Sequence, residues 1–256
     1  MPRSRPLIVV AILIVVVAVG GFVIYDQVLR GDSAAALTLP TAAPTSTASS
    51  ATSAPSTTTS SDPATSAAPA APSDGDIAGT WTVTTGSQAG YRVREQLASL
   101  PAESDAVGRT DQVTGSITLE TNGSTTTLTA ATLTVDTTSI ASDESRRDNR
   151  LRSEGLQTDT YPTATFTLTQ PVEIPAAALT GTASDVTLTG DLALHGVTKS
   201  VQIPAQAQLV DGTVQVAGSL QFPLSDFEIV APNIGGFIVS IADTGTLEFL
   251  VTFRKG

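Results

Sequence analysis

Apolar and polar positions alternate with a period of two through most of residues 76–256, as in strands that bury one face. The clearest strand carries Val186, Leu188, Leu192 and Leu194 on one parity with Gly190 between them, and Thr187, Thr189 and Asp191 on the other. Phe166, Leu168, Val172 and Ile174 form a second set; Val201, Ile203 and Leu209 a third; Val214, Val216, Leu220 and Phe222 a fourth. Phe237, Val239 and Ile241, then Leu247, Phe249, Val251 and Phe253, close the series around an expected turn at Asp243-Thr244-Gly245. Near the start, Trp81 to Val83 opens the pattern, and Tyr91 and Val93 belong to a second strand, although residues 88–99 also admit partial helix. Asn122-Gly123 and Asp211-Gly212 mark hairpins, because both pairs accept the positive φ of a type I′ turn. Between them the apolar phase moves from Leu128 and Ala130 to Leu133 and Val135, which predicts a bulge near Ala130-Ala131.

One stretch breaks the alternation. Residues 142–155 read as a helical crossover with Ser142 as N-cap, Asp143 and Glu144 at the positive end of the helix dipole, and Gly155 as a left-handed stop. Tyr161-Pro162 disfavours further helix, and the strand pattern resumes at Thr163. The crossover holds Arg146, Arg147, Arg150 and Arg152.

Two segments precede this domain. Residues 7–25 are free of charge and as a helix would span roughly 28 Å, close to the ~30 Å hydrocarbon core of a bilayer. Arg3 and Arg5 in the stub 1–6 favour a cytoplasmic N-terminus. The run is longer than the usual signal-peptide core, so the expectation is an uncleaved single-pass anchor with the C-terminal domain outside the cytoplasm. Small residues at Ser33 to Ala36 keep cleavage open as the alternative. Residues 26–75 read as a linker, and 40–73 contain only Pro, Thr, Ala and Ser apart from Asp62. Without large apolar side chains such a segment does not offset its ordering entropy, so disorder is expected.

Composition narrows the function. The net charge of −11 argues against nucleic acid, which needs a basic surface. With no cysteine and one histidine, neither a disulfide nor a thiolate metal site is available, and no metal site is expected. Neither a phosphate-binding glycine loop nor a G-x-S-x-G serine elbow is present. His195 as a catalytic base would require a nucleophile and an orienting carboxylate, with Asp191 the nearest acid in sequence; its place in a Gly-flanked turn fits a structural hydrogen bond. No catalytic centre and no cofactor are expected; the less favoured alternative is a hydrolase centred on His195.

Eight to ten short strands, each with one apolar face, must close as an antiparallel barrel or stack as a sandwich, and alternation does not choose between them. The motifs do. Arg147-Asp148-Asn149-Arg150-Leu151-Arg152-Ser153, Tyr161-Pro162-Thr163-Ala164-Thr165-Phe166 and Gly190-Asp191-Leu192-Ala193-Leu194-His195-Gly196-Val197-Thr198-Lys199 resemble, in order and spacing, the RD-x-x-L-x-S, YP-x-x-x-F and G-x-L-T-x-H-G-V-T-K runs of the YceI-like family of bacterial exported proteins. The chain departs from the family's frequent His-Ser pair with Gly86 to Tyr91, and has Ala193 where threonine is usual. The resemblance implies an all-β, antiparallel, lipocalin-like β-barrel with one helical crossover over residues 76–256. It also implies a bound apolar lipid, an isoprenoid or similar, held without catalysis.

A barrel of about eight strands either fills itself with side chains or holds one ligand. The residues expected to line such a cavity are Phe166, Leu188, Leu192, Leu194, Val201, Ile203, Leu220 and Phe222; Gly190 and Gly218 are expected to leave space. Arg146, Arg147 and Arg150 are the candidates for gripping an anionic head group, since arginine pairs bidentately with such groups. The competing reading is a solvated helix face with Asp143–Arg147 and Asp148–Arg152 pairs. A fully packed barrel would instead suit a module binding a protein or glycan.

Overall fold

The computed structural model describes residues 33–40, 77–97, 103–231 and 238–256; the expected anchor, residues 7–25, lies outside them. Among the described residues, no helix is long and apolar enough to cross a membrane. The strands are β1 (Gly79–Val83), β2 (Gln88–Leu97), β3 (Ser104–Thr110), β4 (Val113–Asn122), β5 (Thr125–Asp136), β6 (Thr163–Leu168), β7 (Val172–Ile174), β8 (Ser184–Leu194), β9 (Val197–Val210), β10 (Thr213–Pro223) and β11 (Ile238–Lys255).

Every pairing among them is antiparallel, and the order β1-β4-β5-β6-β8-β9-β10-β11 returns to β1 through Trp81↔Lys255 and Val83↔Phe253. The sheet therefore closes as an eight-stranded barrel rather than a sandwich, which leaves no free edge within the ring itself. β2 continues along β11 beyond β1, and β3 pairs β2. The outer edge of β3 is met by the bridge Arg109↔Ala141. That bridge brings the crossover onto the same end of the barrel.

Local chemistry explains the connections. His195 (φ 52) with Gly196 (φ 77), and Asp211 (φ 51) with Gly212 (φ 70), form two-residue turns with both φ angles positive, the type I′ pattern. The expected turn at Asn122-Gly123 is shifted by one residue. Asn122 pairs Thr125, so the loop is Gly123-Ser124 with only Gly123 (φ 61) left-handed, a type II′ arrangement that needs glycine first. The bulge falls at Thr129, between Thr118↔Ala130 and Leu119↔Leu128. Residues 88–97 are strand throughout. The expected hairpin at Asp243-Thr244-Gly245 is instead an irregularity inside β11, where the pairing with β2 slips between Ile241 and Gly245. Gly245 pairs Phe222 on one side and Val93 on the other; these ladders keep the strand continuous where turn residues alone suggested reversal.

The crossover begins later than expected. Helix α1 spans Ser145–Arg150 with Glu144 as N-cap, its side chain accepting from Arg146 N. A π-helical turn, Leu151–Gly155, follows. Gly155 is not left-handed; the chain leaves through Gln157 (φ 48), because the wide π turn carries the helix past Gly155.

Part of the linker is seated on the barrel. Ser33 donates to Asp105 O (3.0 Å), Arg92 donates to Ala34 O (2.6 Å), Arg109 donates to Ala35 O, and Gln208 donates to Pro40 O (3.4 Å). Leu39 is buried. The outward-facing Glu248, whose neighbours Leu247 and Phe249 point inward, is also buried and pairs with Arg109 (2.6 Å). Leu37 and Leu39 supply the apolar side chains that residues 41–73 lack, so this stretch docks where a disordered linker was expected.

Candidate functional site

The alternating faces of the strands converge on an apolar interior. The inward positions of β8 are Val186, Leu188, Leu192 and Leu194, all buried. Phe166 joins them from β6, paired with Leu192 and Leu133. Phe249 and Val251 come from β11, and Ile203 from β9.

All of these except Val186 border a cavity of about 170 Å³. One water needs about 10–15 Å³ on this scale, and a dry apolar cavity of about 150 Å³ takes a benzene-sized guest. A second chamber of about 50 Å³ lies beyond, and Leu133, Phe166, Leu188, Phe249 and Val251 border both. Two glycines make this partition possible. A Cβ on Gly190 would sit 2.5 Å from the Phe166 ring, and one on Gly218 would sit 2.8 Å from that of Phe249. The space these glycines leave is thus occupied by aromatic rings rather than left open.

Of the expected lining residues, Phe166, Leu188, Leu192, Leu194, Ile203 and Phe222 border the larger chamber. Val201 and Leu220 do not; they are half-buried at the margin of the core. Their parity is inward, but parity says nothing of height along the axis. The β9–β10 ladder runs only from Val210↔Thr213 to Ala205↔Gly218; Ile203 and Phe222 lie past its end as well and do border the chamber, so the ladder's end does not separate the two pairs. The turn Leu224–Phe227 is tied in nearby. Phe227 is fully buried, stacks edge-on against Phe222 (5.2 Å) and accepts from His195 Nδ1–H through its carbonyl (2.9 Å); Lys199 pairs with Asp226 (3.0 Å). The His195 ring also meets Tyr161 edge-on at 4.9 Å. Neither contact supplies a carboxylate or a nucleophile.

The crossover closes the other part of the lining with Leu151, Leu156 and Arg147. Arg147 donates to Glu95 (2.7 Å), to Asp143 and to Ser142 Oγ (3.3 Å). Asp148 is buried and accepts from Ser142 N (3.1 Å) and Ser142 Oγ (2.5 Å). It is therefore unavailable to Arg152, which donates to the carbonyls of Thr138 and Ile140 at 3.0 Å. The Asp143–Arg147 pair forms as expected and the Asp148–Arg152 pair does not. Arg146 and Arg150 are exposed, the latter paired with Glu154. Only Arg147 of the three head-group candidates reaches the cavity, because a short helix turns one face inward and the other two side chains lie off it.

Sequence reasoning passed over the polar end of the cavity, Tyr91 and Glu95. Both share the inward parity of Val93 on β2, and an acid on an apolar parity was the available signal. Glu95 is almost wholly buried, and that burial raises its pKa above 4.5, with Arg147 opposing the shift. Burial likewise pushes the Tyr91 phenol up to about 12. Gly108 admits the Tyr91 ring, since a Cβ there would lie 2.4 Å from it.

A closed antiparallel barrel around an apolar chamber with one small polar end is the architecture of a small-molecule binding barrel. The YceI-like domain family model matches residues 81–253, and the chain belongs to the YceI-like family. Protein YceI of Escherichia coli is 40% identical over 75 residues, covering 29% of this chain and 35% of that protein. The Shigella flexneri counterpart is 39% identical over the same share. The chain thus spans about a third of the length of the curated relatives it matches. A solved polyisoprenoid binding domain from Saccharophagus degradans, implicated in plant cell wall breakdown, superimposes with a TM-score of 0.54 at 21% identity, covering 70% of this chain and 99% of that one.

Proposed function

We propose that this barrel binds one apolar lipid chain non-covalently, of isoprenoid or similar kind, and does so outside the cytoplasm on an anchor formed by residues 7–25. The observation that carries the reading is the 170 Å³ chamber with its almost continuous Ala, Val, Leu, Ile and Phe lining. An empty volume of that size forfeits packing contacts that a guest would restore. The chamber admits a short section of chain as it stands. A longer chain would extend toward the 50 Å³ chamber, past side chains that border both, Phe166 and Phe249 among them. The S. degradans domain shares the barrel and binds polyisoprenoid, which supports the same ligand class here. The reading assigns no catalytic residue: His195 serves to tie the Leu224–Phe227 turn to the barrel.

The test is native mass spectrometry of the full chain purified from a bacterial host, followed by organic extraction. A bound mass of isoprenoid or fatty-chain size that extraction removes is the expected result. A clean unliganded mass, still unliganded after incubation with isoprenoid lipids, overturns the reading in favour of a packed interaction module.

A further inference from the structure

The polar end of the chamber is small and its charges are already matched. Arg147 is the one guanidinium there, and it is shared between Glu95 and Asp143. Asp148 stands buried one residue along, held by Ser142. The buried Glu95 already neutralises Arg147, so an incoming phosphate or carboxylate would have to displace Glu95 from the guanidinium or sit beside it unpaired. The other group is the hydroxyl of Tyr91. It lines the chamber and is buried without a hydrogen bond of good geometry; its nearest polar neighbour, Ser142 Oγ, is already engaged by Asp148 and Arg147. A buried hydroxyl without a partner is costly, and a ligand that brings an acceptor to it recovers that cost. The phenol holds its proton far above neutral pH because burial disfavours its ionised form, so it acts as a donor.

We propose that the chamber selects an apolar chain ending in a neutral oxygen acceptor, an alcohol, ester, ketone or amide, which accepts a hydrogen bond from the Tyr91 hydroxyl, and that the Glu95–Arg147 pair excludes anionic head groups. This rests on the lipid-binding reading above and adds the identity of the head. It also reverses the expectation that the crossover arginines serve an anionic head.

The test is native mass spectrometry of the full chain, released from a short-chain non-ionic detergent and titrated with farnesol and farnesyl diphosphate. The two probes share a tail and differ only in the head. Farnesol is expected to bind at least about tenfold more tightly. Tyr91→Phe, which deletes one oxygen, should weaken farnesol by about 3–10-fold, the range of a single hydrogen bond. Glu95→Gln keeps the shape, frees Arg147 and should raise affinity for the diphosphate. Equal or tighter binding of the diphosphate by the unmodified chain, or a Tyr91→Phe variant that holds farnesol unchanged, overturns the head-group inference while leaving lipid binding intact. Retention of neither probe overturns the lipid-binding reading itself.

Discussion

Ala164→Leu is the substitution that best separates a binding chamber from a packed core. Ala164 is buried on β6, lines the larger chamber and pairs Val135 across the sheet. Leucine adds three carbons to that wall. At about 0.8 kcal/mol per buried carbon the gain is roughly 2.4 kcal/mol, and fixing the longer side chain costs about 0.5–1 kcal/mol. The 170 Å³ of free space accepts the added carbons without displacing neighbours. The expected net is about 1–2 kcal/mol of added stability, or a Tm rise of roughly 2–8 °C for a domain of this size. Lipid uptake should fall at the same time, since the side chain occupies the guest's place. The assay is a thermal melt of delipidated protein alongside lipid titration by native mass spectrometry; delipidation matters because bound ligand itself stabilises the wild type. A destabilisation of about 1–3 kcal/mol, the usual cost of overpacking, would show that the interior is already full and would refute the chamber.

Three other outcomes follow from the same geometry. Glu95 has a native pKa raised above 4.5 by burial, so the native state holds this proton more strongly than the unfolded chain. Its contribution is fully present below about pH 4.5 and is lost as pH rises through the native value. The stability of Glu95→Gln relative to wild type should therefore increase with pH in urea melts between about pH 4 and 8, and a flat or falling difference would contradict the argument. Asp148→Ala removes the acceptor for Ser142 N and Oγ and should cost about 1–3 kcal/mol by chemical denaturation, since it breaks charge-assisted hydrogen bonds to a partly buried amide and hydroxyl; a loss under about 0.5 kcal/mol would mean that the crossover is held otherwise. Leu39→Ser should weaken docking of residues 33–40 by about 1–3 kcal/mol, the worth of one buried leucine. Hydrogen exchange should then rise in that segment while the barrel's melting temperature stays unchanged, and unaltered exchange would show that the backbone hydrogen bonds alone hold it.

Much of the architecture follows from local rules legible in the chain. Period-two alternation located the strands of the second half because each buries a single face, and Asp211-Gly212 set its hairpin because few other pairs accept two positive φ angles. The motif around His195 marked a tight turn for the same reason. Alternation also identified six of eight chamber residues, since inward parity is a property of the strand alone. What it left open depends on distance between segments far apart in sequence. Closure into a barrel came from Trp81↔Lys255, partners at opposite ends of the domain. Val201 and Leu220 have the right parity, but which inward side chains reach the chamber is a matter of tertiary geometry. The polar end was hidden for the same reason: Glu95 and Arg147 lie 52 positions apart and meet only because the crossover folds back over β2. Ser33 to Pro40 reads as linker by composition, yet docks because Arg92, Arg109 and Gln208 present donors to its backbone. Periodicity and turn chemistry are short-range and so are written in the sequence; register around the ring, the depth of the chamber and the pairing of charges across it are fixed only when distant strands meet.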